Sequence, residues 1–160
     1  MNPVVAASRA PEVLVLEDDA PLREVLVRTL REQGYAVHSA ASVAQARRLL
    51  ARQAVDVAIV DVHLGDGSGL DLLEPLRAAA GAAQLVVMSG FAETSIIAEA
   101  YRRGAFEFLE KPVEPARLVG VLARAAEKAT LLRENAALRS VAAGDLPVVP
   151  LDRLGAAMRE

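Results

Sequence analysis

The sequence predicts an α/β fold, a doubly wound sheet of five parallel strands with helices on both faces. Three features carry that prediction. Short runs at 13–16, 36–40, 55–60, 85–88 and 106–109 are apolar or nearly so throughout, as strands covered on both faces require. The segments between them place apolar residues at helical spacing. Strand and helix alternate without exception, which calls for right-handed crossovers. Such a chain suggests the flavodoxin-like strand order 2-1-3-4-5, here with an extended C-terminal helix.

Each helix has its own signature. Leu22, Val25, Leu26, Thr29 and Leu30 form a stripe that stops at Gly34, a natural C-terminal cap. Ser42 is placed to cap a second helix containing Val43, Ala46, Leu49 and Leu50. A third is expected over 70–77, with Pro75 kinking it or ending it early. A fourth carries Ile96, Ile97, Ala100 and Tyr101 and stops at Gly104. The last starts near Pro115 and continues past the domain. Leu118, Leu122, Ala125, Ala129, Leu132 and Ala136 make one stripe; Leu131, Asn135 and Leu138 make a shorter, heptad-like one. An Asn between leucines resembles the polar core residue that fixes register in a parallel helix pair.

Composition narrows the chemistry. The 160 residues suffice for one domain with a tail and not for two. With 32 alanines and 3% aromatic residues, the core must be built from Leu, Val, Ile and Ala. Zero cysteines exclude a disulfide scaffold, a thiolate zinc site and a cysteine nucleophile. Two histidines, His38 and His63, are too few for a multi-histidine metal centre. A net charge of −3 argues against a nucleic-acid surface over the whole segment. The first ten residues carry no export signal and no run has membrane-spanning length, so a cytoplasmic protein with no membrane partner is expected. Sixteen of the 18 basic residues are Arg. The two lysines, Lys111 and Lys128, therefore mark candidate places where Arg would not serve. The chain divides into a flexible N-terminus (1–11), the domain (12–128), a helical extension suited to coiled-coil pairing (129–141) and a linker or tail (142–160). Residues 151–160 read as the opening turns of another helix, either a short tail or the start of an effector.

In a doubly wound sheet, ligands bind outside the carboxyl ends of the strands at the switch in strand order, here between the first and third strands. Those strands end in Glu17-Asp18-Asp19 and in Asp61. So many carboxylates in one place repel unless a cation neutralises them. All-oxygen ligation with few ligands favours Mg²⁺. The neighbouring strands end in Ser89 and Lys111, adding a hydroxyl and a point-charge ammonium. A cis bond to Pro112 would aim that ammonium into the crevice. Together these groups suit phosphoryl transfer to an aspartate. Singly they mean less. Asp18 and Asp19 alone would read as a helix cap, Ser89 as a turn residue, and Gly65, Gly67 and Gly69 as a flexible turn rather than a phosphate cradle. Phe106 and Phe108 alternate along a strand, so one of them belongs to the core.

The stretches VLVLEDDAPLR (13–23), VAIVDVHLGDGSGL (57–70), VVMSG (86–90) and GAFEFLEKP (104–112) stand in an order and spacing that resemble a bacterial two-component receiver domain over about 13–128. The resemblance implies that Asp61 is the phosphoacceptor, that Asp18 ligates Mg²⁺ directly and that Glu17 does so through water. The backbone carbonyl of His63 would complete the ligands, while Ser89 and Lys111 would hold phosphoryl oxygens. Phe108 matches an aromatic switch position that swings inward when the Ser89 loop moves. The implied partners are a sensor histidine kinase and a second copy, bound through the C-terminal helix or the face of the fourth helix, fifth strand and fifth helix. Such a domain is no metabolic enzyme; it catalyses only its own phosphorylation and dephosphorylation. Three positions depart from the commonest pattern, one of them Phe108, where Phe in place of Tyr removes a hydroxyl but keeps the ring. Gly65 stands where Pro is frequent, which loosens the loop after the acceptor, and Gly90 stands where Ala is common.

The segment 104–138 is similar to receivers of nitrogen-regulation-type and Fis-type transcriptional regulators, which implies an output in transcription, with no nucleic acid bound by this segment itself. Two rival readings are a phosphorylation-independent interaction module of the same fold and a small Mg²⁺-dependent phosphatase. The complete acidic pair with Ser89 and Lys111 speaks against the first. The lack of an Asp-x-Asp after the first strand speaks against the second.

Overall fold

The computed structural model describes residues 9–91 and 93–143. The expectations for 1–8 and 144–160 lie outside them. Five strands, β1 (Glu12–Leu16), β2 (Ala36–Ala40), β3 (Val57–Asp61), β4 (Gln84–Ser89) and β5 (Glu107–Glu110), form one parallel sheet in the order β2-β1-β3-β4-β5. The helices are α1 (Ala20–Glu32), α2 (Val43–Leu50), α3 (Leu73–Ala80), α4 (Thr94–Arg102) and α5 (Pro115–Ala143), with a 3₁₀ turn at Gly69–Leu72 leading into α3.

Alternation along the strands sorts the core into two layers, because successive side chains point to opposite faces. Val13, Val15, Val57, Ile59, Val86 and Met88 pack against α1 and α5 through Leu26, Leu30, Leu118 and Leu122. Leu14, Leu16, Ala58, Val60, Leu85 and Val87 face α2, α3 and α4 through Ala46, Leu50, Leu76 and Ala100. The central strands β3 and β4 are buried at every position, which explains their unbroken apolar runs.

The local signals hold at most boundaries. Gly34 follows α1 with φ +94°, a conformation that favours glycine, and the Ser42 hydroxyl accepts from Gln45 N at the start of α2. Pro75 does not end α3. It lies in the first turn of Leu73–Ala80, where its missing N–H has no intrahelical partner to lose, so the helix runs beyond the expected 70–77. The third strand starts at Val57 rather than 55, and α5 runs to Ala143, two residues into the stretch read as linker. Phe108 is buried and Phe106 only half so. None of the described helices is long and apolar enough to cross a membrane.

Candidate functional site

The strand order fixes where the site must be. β1 and β3 are neighbours at the switch point, and their carboxyl ends deliver Glu17 and Asp18 beside Asp61. Carboxylate oxygens of these three residues lie within 4.8 Å of one another. β4 and β5 extend the same edge, and the Lys111 amide donates to the Ser89 carbonyl at 2.8 Å. The Lys111–Pro112 bond is cis.

Lys111 organises the charges. Its Nζ donates to Glu17 Oε2 at 2.7 Å and to Asp61 Oδ2 at 2.9 Å. Glu17 is 1% exposed, and its second oxygen accepts from the Asp19 amide at 3.2 Å. Asp61 Oδ1 accepts from the His63 amide at 3.0 Å. Burial, reinforced by the Asp61 charge, pushes the Glu17 carboxyl above its ordinary range, although Lys111 pulls the other way. Burial also works against the Lys111 ammonium, whose stem lines an apolar cavity with Leu22, Leu26 and Pro112. The Glu17 and Asp61 carboxylates together outweigh that, and Lys111 is held above its ordinary value.

The remaining expected residues fall around this cluster. Asp18 is exposed beside it, and Ser89 is fully buried at the end of β4. The Ser89 hydroxyl accepts from the Phe91 amide at 3.0 Å and contacts the Phe91 carbonyl at 3.3 Å. His63 is exposed, its ring edge-on to Phe91 at 5.0 Å between centroids. Phe108 is buried on β5, and its backbone amide donates to the Tyr101 hydroxyl. Asp19 stands at the N-cap position of α1 but makes no side-chain capping bond. The donor set suits a hard divalent cation. Among the described residues it offers three carboxylates, with the Lys111 ammonium bonded to two of them.

Four residues gain roles that sequence reasoning did not give them. Gly69 is no flexible turn: a Cβ there would lie 2.2 Å from the Asp61 carbonyl oxygen and 2.8 Å from Val60, so only glycine lets the 3₁₀ turn close against β3. Arg23 donates to the Glu17 carbonyl at 2.7 Å, and the Tyr101 hydroxyl accepts from the Phe108 amide at 3.1 Å. Asp66 accepts two amides at the start of α2. The run of three alternating glycines was the available signal for Gly69; nothing in the sequence marked the other three.

Comparison with known proteins places this geometry. The model of the response regulator receiver domain matches residues 13–123. The C4-dicarboxylate transport transcriptional regulatory protein DctD of Rhizobium meliloti is 31% identical over 90% of this chain, which spans 31% of that relative's length. NtrX from Brucella abortus is similar in structure, with a TM-score of 0.74, 29% identity and coverage of 88% of this chain and 31% of that one. A response regulator from Burkholderia pseudomallei, solved with a phosphorylated aspartic acid, calcium ion and citrate, has a TM-score of 0.67 at 28% identity. It covers 88% of this chain and 77% of its own.

Proposed function

The chain belongs to the response regulator receiver domain family, and from that premise we propose that it accepts a phosphoryl group on Asp61 from a histidine kinase and switches a partner surface. The observation that carries this reading is the Lys111 ammonium held between Glu17 and Asp61 at 2.7 and 2.9 Å, in a pocket where carboxylates outnumber cations. An Asp61 carboxylate oxygen attacks phosphorus, and the bond from phosphorus to the donor nitrogen breaks. The imidazole keeps that electron pair and takes up a proton. Hydrolysis later returns the carboxylate and inorganic phosphate. Lys111 and Ser89 are at the strand ends from which they would hold phosphoryl oxygens, a role in which positioning and charge neutralisation supply most of the catalysis. The Asp18 and Asp61 carboxylates and the His63 carbonyl would hold Mg²⁺, with Glu17 acting through water. When bound, the ion would neutralise charge on the phosphoryl oxygens. The phosphorylated aspartic acid of the Burkholderia pseudomallei regulator supports this assignment.

Intact mass after incubation with acetyl phosphate and Mg²⁺ tests it. Wild type gains one phosphoryl group and Asp61→Asn gains none. No addition to wild type, or equal addition to both, overturns the reading in favour of a phosphorylation-independent module.

The output surface is a homodimer through α5, coupled to transcription as in the named regulator DctD. Leu131 and Leu138 are 56% and 68% exposed, on the helix face opposite the buried Ala129 and with Asn135 between them. In a two-helix seam this places Asn135 at an a position flanked by d-position leucines. Light scattering on the full chain and on a chain cut after Lys128 should give a dimer and a monomer. A monomeric full chain excludes the seam.

A further inference from the structure

The seven residues 62–68 that follow the acceptor lie outside every helix and strand, and they include Gly65 and Gly67. Such a segment has many conformations to lose, yet the function proposed above needs the His63 carbonyl held in one place. Most of its restraints are local. His63 N donates to Asp61 Oδ1, Leu64 and Gly67 pair with each other, and Ser68 with Asp71 forms a capping box for the 3₁₀ turn. These bonds shape the loop without fixing it against the helices packed beside it.

Asp66 reaches further. Its Oδ1 accepts from Val43 N at 2.9 Å and its Oδ2 from Ala44 N at 3.1 Å, across more than twenty residues of sequence. Val43 and Ala44 are the first two residues of α2, whose amides have no acceptor within the helix. Ser42 Oγ takes the third, from Gln45. The capping of α2 is thus divided between its own Ser42 and a carboxylate from the acceptor loop. The charge sits where the helix dipole favours it, and the two amides hold the Asp66 carboxyl below its ordinary value.

We propose that Asp66 is a positioning residue, a tether that uses the amino end of α2 as its anchor and so holds the acceptor loop in place for metal binding at the carboxylate cluster. In this chain the tether supplies the restraint that Gly65 does not. The proposal rests on the receiver reading for its metal arm and on geometry alone for its tether arm.

Two variants separate the tether from an ordinary helix cap. Ser42→Ala removes the other cap of the same helix and leaves the loop untouched. Asp66→Ala should weaken MgCl₂ binding by calorimetry about tenfold, the scale of a lost outer-shell support, with Asp66→Asn between it and wild type. Ser42→Ala should lower urea stability but leave Mg²⁺ affinity as in wild type. Equal affinities in Asp66→Ala and Ser42→Ala overturn the proposal. Hydrogen exchange on metal-free protein reads the tether by itself: amides of 62–68 should exchange faster in Asp66→Ala and not in Ser42→Ala. Unchanged exchange in Asp66→Ala overturns it. A wild type that binds no Mg²⁺ but shows the exchange difference sinks the metal reading and leaves the tether standing.

Discussion

Each end of the sheet holds a buried carboxylate engaged by a cation, and the two ends are built to opposite purposes. At the amino end, Asp56 is 6% exposed and pairs with Arg133 from the far half of α5. Its second oxygen accepts from Glu12 N at 2.7 Å, while its own amide and carbonyl join β1 and β4. That carboxylate is matched by one cation and fully hydrogen-bonded, so it acts as a staple. At the carboxyl end, the Lys111 ammonium bonds Glu17 and Asp61, and the Asp18 carboxylate lies beside them. Negative charge is left over there, at the place where the strand order opens a crevice. A balanced buried pair holds structure; an unbalanced one waits for a cation.

The change expected to do most damage is Gly69→Ala. Its Cβ would meet the Asp61 carbonyl at 2.2 Å, and the backbone there can only yield by moving β3 or the 3₁₀ turn. A loss of about 3 kcal/mol or more in urea unfolding is expected, with phosphorylation reduced; near-wild-type stability would show that the acceptor end is looser than its packing.

Neutralising one carboxylate at each end tests the comparison directly. Asp56→Ala leaves Glu12 N and Arg133 without their acceptor and should destabilise by about 1–3 kcal/mol. Asp61→Asn in metal-free protein removes a like charge beside Glu17 while weakening the bond to Lys111, and should cost clearly less than Asp56→Ala. If Asp61→Asn costs as much as Asp56→Ala, the contrast between staple and site fails.

The smallest effects are those of pH. Asp66 is depressed below its ordinary 3.8, so its contribution is present above that value and is lost as pH falls through the folded-state value. The stability difference between wild type and Asp66→Asn should therefore close in acid. Lys111 is raised above 10.5, so its contribution is full below that value and is lost as pH rises through the folded-state value. Denaturation curves across both ranges measure the two.

Much of this was legible in the chain. Apolar runs and helical stripes are local patterns, and topology rules converted them into a strand order that places Asp18 beside Asp61 without any contact being known. The scarcity of lysine pointed at Lys111, which bridges Glu17 across 94 residues of sequence. The other lysine, Lys128, lies over the Phe106 ring at 5.7 Å, so both lysines have specific surroundings. Pro75 was misjudged because its effect depends on where the helix begins, and that was set by the 3₁₀ turn before it.

The sequence by itself determined the fold class, the edge of the sheet where the acidic residues and Lys111 gather and the residue types found there, because side-chain period and strand alternation act over a few residues at a time. The tertiary structure decided which carboxylate is paired with Arg133 and which lie together beside Lys111, why Gly69 admits no side chain, and that Asp66 joins the loop after β3 to α2. Those roles depend on atoms brought together from distant parts of the chain, and a hydrogen bond or a steric clash of that kind leaves no periodic trace in the residues that make it.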